Sequence, residues 1–136
     1  MAKLSKIKRD ANAAENGVWV NNVVDDICVK VAAENNKRYT DEVQRLMKPH
    51  QKSYKNNPSF NDIFTDIQNK AMAKAILLDW KNMQNDDETP LEYSEAAAYT
   101  LLKDPENKEF RDLIMSLAAE NEVFRKEVAE EIATKS

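Results

Sequence analysis

The sequence predicts a mainly α protein, a compact helical domain with a small two-stranded β element near its N-terminus. Apolar side chains recur at helical spacing over most of the chain beyond residue 40. β-Branched residues alternate with other residues only between residues 17 and 31. At 136 residues, of which 42% are hydrophobic, the chain is long enough for one domain with a real core. We therefore expect a single mostly helical domain over residues 17–136.

Residues 1–16 are polar and basic and show no period, so they are predicted to form a basic, flexible arm. No aromatic residue interleaves with the basic ones, which favours a solvated tail over a platform for single-stranded nucleic acid. No continuous apolar stretch follows the arm, so we expect no signal peptide. The longest apolar runs are also too short to span a bilayer. The basic residues of the arm are Lys3, Lys6, Lys8 and Arg9.

Two short strands are predicted at residues 18–20 and 27–31, because β-branched side chains alternate there with period two. The intervening Asn21-Asn22 and Asp25-Asp26 pairs are typical of turns. Two strands alone are marginally stable in water, so we expect helices to pack against one of their faces.

The next predicted helix is capped by Thr40 or Asp41 and ends before Pro49. After a polar loop over residues 50–58, Ser59 precedes a long helix with apolar positions at helical spacing for about five turns. Beyond Met72 this helix is expected to be apolar on two sides and therefore central. The second apolar stripe consists of Ile76, Trp80 and Met83.

Ser94 is a favourable N-cap for a helix over residues 95–103, after a charged loop over residues 85–90. Asp104 followed by Pro105 then signals the start of another helix. Its apolar face covers residues 110–117, and Asn121 can interrupt it. The pattern leaves open whether residues 105–134 form one bent helix or two. The later apolar positions are Phe124, Val128 and Ile132.

No catalytic, cofactor or metal site can be assembled from the residue types and spacings present. His50 is the sole histidine and lies in a polar loop, and a lone Cys28 excludes an intrachain disulfide or a multi-cysteine metal site. The acidic runs at residues 25–26 and 86–88 lack the ligand spacing of a Ca²⁺ loop. We therefore expect a protein that is not an enzyme and that needs no cofactor.

Both tryptophans are candidates for partner contact, because Trp is enriched at binding hot spots. For Trp80 a core position is favoured, since two apolar stripes converge near it. For Trp19, on a short strand, core and interface are equally favoured. Leu77 is more often a core residue, by its helical spacing.

Five short motifs occur in order over about residues 17–127. They are Gly-Val-Trp-Val at 17–20, Ala-x-x-Asn-Asn-x-x-Tyr at 32–39, Leu-Leu-Asp-Trp at 77–80, a Pro and Tyr-Ser before a helix ending Leu-Leu-x-Asp at 90–104, and Phe-Arg-Asp at 110–112 with Phe-Arg at 124–125. In this order and spacing the chain resembles the tail assembly chaperones of long-tailed, siphovirus-type bacteriophages and prophages. Unlike many of that family, it has no glycine in the turn after Trp80.

The resemblance implies a non-enzymatic chaperone in the host cytoplasm. Such a protein binds the phage tape-measure protein and the tail-tube protein before tail polymerisation and is absent from the mature virion. No membrane partner is expected, and nucleic acid is disfavoured by the net charge of -4. Self-association is a further expectation, because a two-faced helix needs additional cover. The candidate partner-binding residues are Trp19, Leu77, Trp80, Tyr93, Phe110 and Arg111.

Two other functions stay open at this point. One is a structural tail or head-completion component that is retained in the virion. The other is a small phage regulator that binds nucleic acid through its lysine-rich arm, with an affinity that falls steeply with salt.

Overall fold

A computed structural model of the chain describes residues 1–51 and 59–124. Within these ranges five α-helices accompany a three-stranded antiparallel sheet, so the protein is α+β. The expectation of a mainly α domain with a two-stranded element was therefore wrong. The cause is a third strand, formed by residues that were interpreted as the end of a long helix.

The sheet has the order β1-β2-β3, with β1 at Val18–Val24, β2 at Ile27–Val31 and β3 at Leu77–Lys81. β1 and β2 form a hairpin, as their alternating pattern predicts, and Asp25 adopts a positive φ of 50° in its turn. β3 returns after two helices and pairs antiparallel with β2. The third strand extends the hairpin to a three-stranded sheet, and three strands with a buried face are stable in water where two alone are marginal.

The long helix ends earlier than predicted, at Ala75. Ile76 caps the helix, since its amide still donates to the Met72 carbonyl, while its own carbonyl accepts a hydrogen bond of 2.9 Å from the Ala32 amide next to β2. Leu77 and Trp80 then face the core from β3, with an irregularity in the pairing beside Leu78. A short apolar run has no periodicity that separates a buried strand from a buried helix, so the pairing with β2 decides its structure.

The five helices are α1 at Ala11–Asn16, α2 at Lys37–Met47, α3 at Phe60–Ala75, α4 at Glu95–Lys103 and α5 at Lys108–Ala119. α2 begins at the cap Asn36, ahead of the predicted Thr40 or Asp41. The prediction for α4 is confirmed, since the Ser94 hydroxyl accepts from the Ala97 amide at 2.9 Å.

Asp104 starts the last helical segment as predicted, first as a 3-10 turn at Pro105–Asn107 and then as α5. A separate turn, Asn121–Phe124, follows α5, so the helix is interrupted near Asn121. The predicted positions Val128 and Ile132, Arg125 of the last motif and most of the predicted loop at residues 50–58 lie outside the described residues.

The core lies between one face of the sheet and the helices. α3 packs against α2 and α4, and α5 packs against β2 and α4. Within the arm predicted for residues 1–16, α1 is capped by Asp10 and buries Ala13 and Ala14 against the same core. Of the helices described, none is long and apolar enough to cross a membrane. The largest fully buried side chains include Val29, Val31, Met72, Ile76, Leu77, Leu102, Ile114 and Phe124.

Candidate partner-binding surface

The sheet face that points away from the helices carries Trp19. The register pairs Trp19 with Lys30 across β1 and β2, and Lys30 with Asp79 across β2 and β3. Directly opposed residues share a face, so these three side chains form one row. The neighbouring pair, Val29 with Trp80, is buried on the opposite, core side.

A second row, two residues along, pairs Cys28 with Lys81 on the same outward side. The Lys81 ammonium group lies 4.1 Å from the centroid of the Trp19 ring, within the range of a cation–π interaction. This contact bridges the sheet from β3 to β1 and holds the indole in one place. We call the set Trp19, Cys28, Lys30, Asp79 and Lys81 the outer sheet face.

The outer sheet face is partly exposed and carries two lysines and one carboxylate. Trp19 and Lys30 are half-buried and Lys81 is exposed. The one carboxylate, Asp79, is partly engaged, since its Oδ1 accepts from the Trp80 amide at 2.8 Å. An indole with the Lys81 ammonium group over its ring, and Lys30 as its partner on the next strand, is therefore what this face offers to another molecule.

Gly17 fixes the direction in which β1 enters the sheet. Its φ is +86°, a left-handed conformation that L side chains rarely adopt. A Cβ at this position would lie 2.9 Å from Leu78 Cδ1 and 3.2 Å from the carbonyl oxygen of Val31. The single glycine of the chain thus stands where the backbone needs one, two residues before Trp19.

The two edges of the sheet differ. At the β3 edge the Tyr93 hydroxyl donates to the Leu77 carbonyl at 2.6 Å, and the Trp80 indole N–H donates to the Leu91 carbonyl at 2.7 Å. At the β1 edge no further strand pairs among the described residues. β1 carries no charged side chain there, and only an irregularity before Val24 interrupts its pairing.

Three candidates of the sequence analysis meet behind the β3 edge. Leu77 is fully buried and Trp80 is 5% exposed. Tyr93 packs edge-on against the Trp80 ring with centroids 5.0 Å apart, and burial raises the pKa of its hydroxyl to about 12. These contacts join β3 to the segment before α4. Because the side chains of Leu77 and Trp80 are almost completely buried, they have little area for an interface.

The last two candidates lie on α5, among the helices. Arg111 donates from Nε to the Oδ1 atom of the buried Asn69 on α3 at 2.6 Å, and Phe110 is half-buried against the core. The structure therefore brings Leu77, Trp80 and Tyr93 together, whereas Trp19 lies apart from them on the outer sheet face.

Sequence reasoning missed the two lysines of the outer sheet face and one buried amide. Lys30 and Lys81 gain their role only when β3 is recognised as a strand next to β2. Asn36 is fully buried and hydrogen-bonds three backbone groups. Its signal was an Asn directly before a helix, which is a favourable cap.

The described part of the chain contains no group of three or more His, Cys, Asp or Glu residues placed to hold a metal ion. The groups that the outer sheet face does present, an indole and ammonium groups, are suited to non-covalent binding.

The geometry is that of a small α+β domain, in which the described helices pack against one face of the sheet and leave the other partly exposed. Comparison with known protein families matches residues 33–135 to the family described as YdaY prophage protein. Because the match spans more than half of the chain, the chain belongs to this family, and its phage or prophage origin follows. The matched range contains α2, α3, β3, α4 and α5, whereas Trp19 precedes it. No curated protein and no solved structure matches the chain.

Proposed function

We propose that this protein is a phage tail assembly chaperone. It binds the tape-measure protein and the tail-tube protein before tail polymerisation and is absent from the mature virion. The observation that carries the proposal is Trp19, a partly exposed indole held by Lys81 on the sheet face that the described helices do not cover. Membership of a prophage family supports the phage context, and the five-motif resemblance supports the assembly role.

The outer sheet face suits a partner segment in which an apolar residue is flanked by acidic ones. Such a residue stacks on Trp19, and its acidic neighbours approach Lys30 and Lys81. The unpaired edge of β1 adds main-chain donors and acceptors for an extended segment.

A chaperone must release its partner, and a small surface is suited to release. Stable interfaces bury roughly 1,200–2,000 Å² in total, with several anchors in a desolvated centre. The outer sheet face has one aromatic anchor, and its charged groups are screened by salt. The net charge of -4 also helps to keep a complex with an apolar partner in solution.

Co-expression with the tape-measure protein of the same phage or prophage tests the proposal. We expect the tape-measure protein to be soluble and to co-purify with the wild-type chain but not with Trp19→Ala. The matched control is Val24→Ala, which removes an apolar side chain that is 46% exposed from the same strand. A tape-measure protein that stays insoluble with the wild-type chain would contradict the chaperone role.

The composition of purified particles separates the proposal from its first alternative. A chaperone is absent from finished tails, whereas a structural component is present at a fixed copy number. The regulator is tested by DNA binding at two salt concentrations. Binding that weakens steeply with salt and requires the basic arm would favour that function instead.

A further inference from the structure

We propose that the chain associates head to tail, with the N-terminal segment of one copy docked in a cavity beside Trp80 of the next copy. The N-terminal segment is residues 3–9. The cavity lies between the end of β3 and the segment before α4 and is separate from the outer sheet face. The inference does not depend on the proposed function, because it concerns the purified chain alone.

The N-terminal segment exposes apolar side chains that the described part of its own chain leaves uncovered. Leu4 is 64% and Ile7 77% exposed, on and directly after the 3-10 turn Leu4–Lys6. The turn sets them three residues apart, which brings them to the same side of it. A contact that covered both would remove apolar surface from water at about 25 cal/mol per Å².

The cavity offers apolar side chains to such a contact. Its volume is about 390 Å³, which is within the range of sites that enclose small ligands or a few side chains. Trp80 and Tyr93, held in their edge-on contact, border it together with Met83, Pro90 and Leu91, and Asn82, Gln84 and Glu92 supply its polar lining. Two branched aliphatic side chains can fill such a space.

The walls of the cavity are formed before any partner binds. The Met83 backbone carbonyl accepts from the Leu91 amide at 2.9 Å, and the Asn85 backbone amide donates to the Thr89 carbonyl at 2.8 Å. Glu88 takes a positive φ of 69°, which supplies the tight turn that a glycine often provides. A preformed site loses less entropy on binding than a flexible one.

The two surfaces are complementary in charge. Residues 3–9 contain four basic residues and no acidic one, and residues 82–93 contain four acidic residues and no basic one. Glu92 lines the cavity itself, and the other three are consecutive at residues 86–88 in the adjoining loop. Hydrogen bonds from Thr89 hold the pKa of Asp87 below its usual value, so its carboxylate stays charged. Opposite charges around an apolar contact fix its partner and its orientation.

The positions of the two surfaces make the contact intermolecular. The N-terminal segment is anchored where Arg9 donates to Asn35 and the Asp10 amide to the Phe124 carbonyl, near the end of β2 that leads to α2. The cavity adjoins Asn82, whose side chain donates to the Asp26 carbonyl at the opposite end of β2. Surfaces at opposite ends of one domain associate head to tail, into rings or filaments.

A charge exchange tests the contact. Lys8→Glu and Glu92→Lys should each weaken self-association of the purified chain about tenfold in sedimentation velocity at low salt. The double variant should restore it, because the exchanged charges meet between copies. A wild-type chain that stays monomeric at all concentrations would overturn the proposal. So would single variants that associate like the wild type, or a double variant without recovery.

Cross-linking locates the contact even if a charge variant folds poorly. In a Cys28→Ser background, an equimolar mixture of Ile7→Cys and Met83→Cys chains should give a disulfide-linked dimer under mild oxidation. The control is an equimolar mixture of Val24→Cys and Met83→Cys chains, since Val24 is also exposed but lies on the β1–β2 hairpin. Equal cross-linking of the control, or none in the mixture, would contradict docking at this cavity.

Discussion

Replacing Asn36 by Ala should strongly destabilise the fold. Asn36 is 0% exposed, and its amide group donates to the carbonyls of Ala33 at 2.7 Å and Ala75 at 2.8 Å. Its carbonyl accepts from the Tyr39 amide at 3.0 Å and caps α2. One side chain thus ties the start of α2 to the end of α3, next to β3.

The magnitude follows from these three bonds. Loss of an N-cap costs about 1 kcal/mol. The Ala33 carbonyl keeps a second donor, the Asn36 backbone amide at 3.0 Å. Leaving the buried Ala75 carbonyl without its side-chain donor costs about 1–3 kcal/mol more. The expected loss is therefore about 2–4 kcal/mol, a large part of the roughly 5–15 kcal/mol by which domains are stable. For a chain of this size the melting temperature should fall by roughly 6–20 °C.

Urea unfolding followed by circular dichroism measures the effect. Asn36→Ser keeps a cap but loses the long amide, so it should recover about 1 kcal/mol of the loss. The neighbouring Asn35→Ala, at an exposed site, loses only its hydrogen bond to Arg9 and should lower the free energy of unfolding by no more than about 1 kcal/mol. The reasoning is refuted if Asn36→Ala unfolds at the wild-type urea concentration with an unchanged slope.

Three further predictions concern stability. Gly17→Ala, at a φ of +86°, should lower the free energy of unfolding by at least about 1–2 kcal/mol in urea, and a wild-type midpoint would contradict the assigned backbone conformation. Tyr93→Phe removes the donor to the Leu77 carbonyl and should cost about 1–3 kcal/mol in thermal unfolding; an unchanged melting temperature would rule that bond out. The hydrogen bond from Arg45 holds the pKa of Glu42 below its usual value of 4.5, so its stabilisation is present above pH 4.5 and is lost as pH falls through the lower folded value. Glu42→Gln should accordingly flatten that acid loss in pH-dependent urea titrations, and a wild-type acid profile would contradict the pairing.

Local signals in the sequence predicted the helix starts best. Ser94 and Asp104 carry their caps within three residues, so no distant contact is needed to identify them. The strands of the hairpin were found for the same reason, since their partner is the next segment. The length of β1, to Val24, was underestimated because Asn21-Asn22 is a turn signal that the hairpin overrides.

β3 could not be found in this way, because it depends on a partner about fifty residues away. The stripe through Ile76, Trp80 and Met83 has helical spacing, so the local pattern favours a helix there. Only the pairing with β2 makes the residues from Leu77 onward a strand, and no local pattern reports it. The outer sheet face was hidden with it, since Lys81 reaches Trp19 across that third strand.

The affinity of the purified chain for the tape-measure protein, measured by titration calorimetry, tests the central claim most directly. Trp19→Ala should bind about 30-fold more weakly than the wild type, the change expected for loss of a hot-spot anchor of about 2 kcal/mol. Its own stability should fall by only about 1 kcal/mol, through the lost contact with Lys81. Val24→Ala should bind like the wild type. A folded Trp19→Ala variant that binds with wild-type affinity would contradict the account.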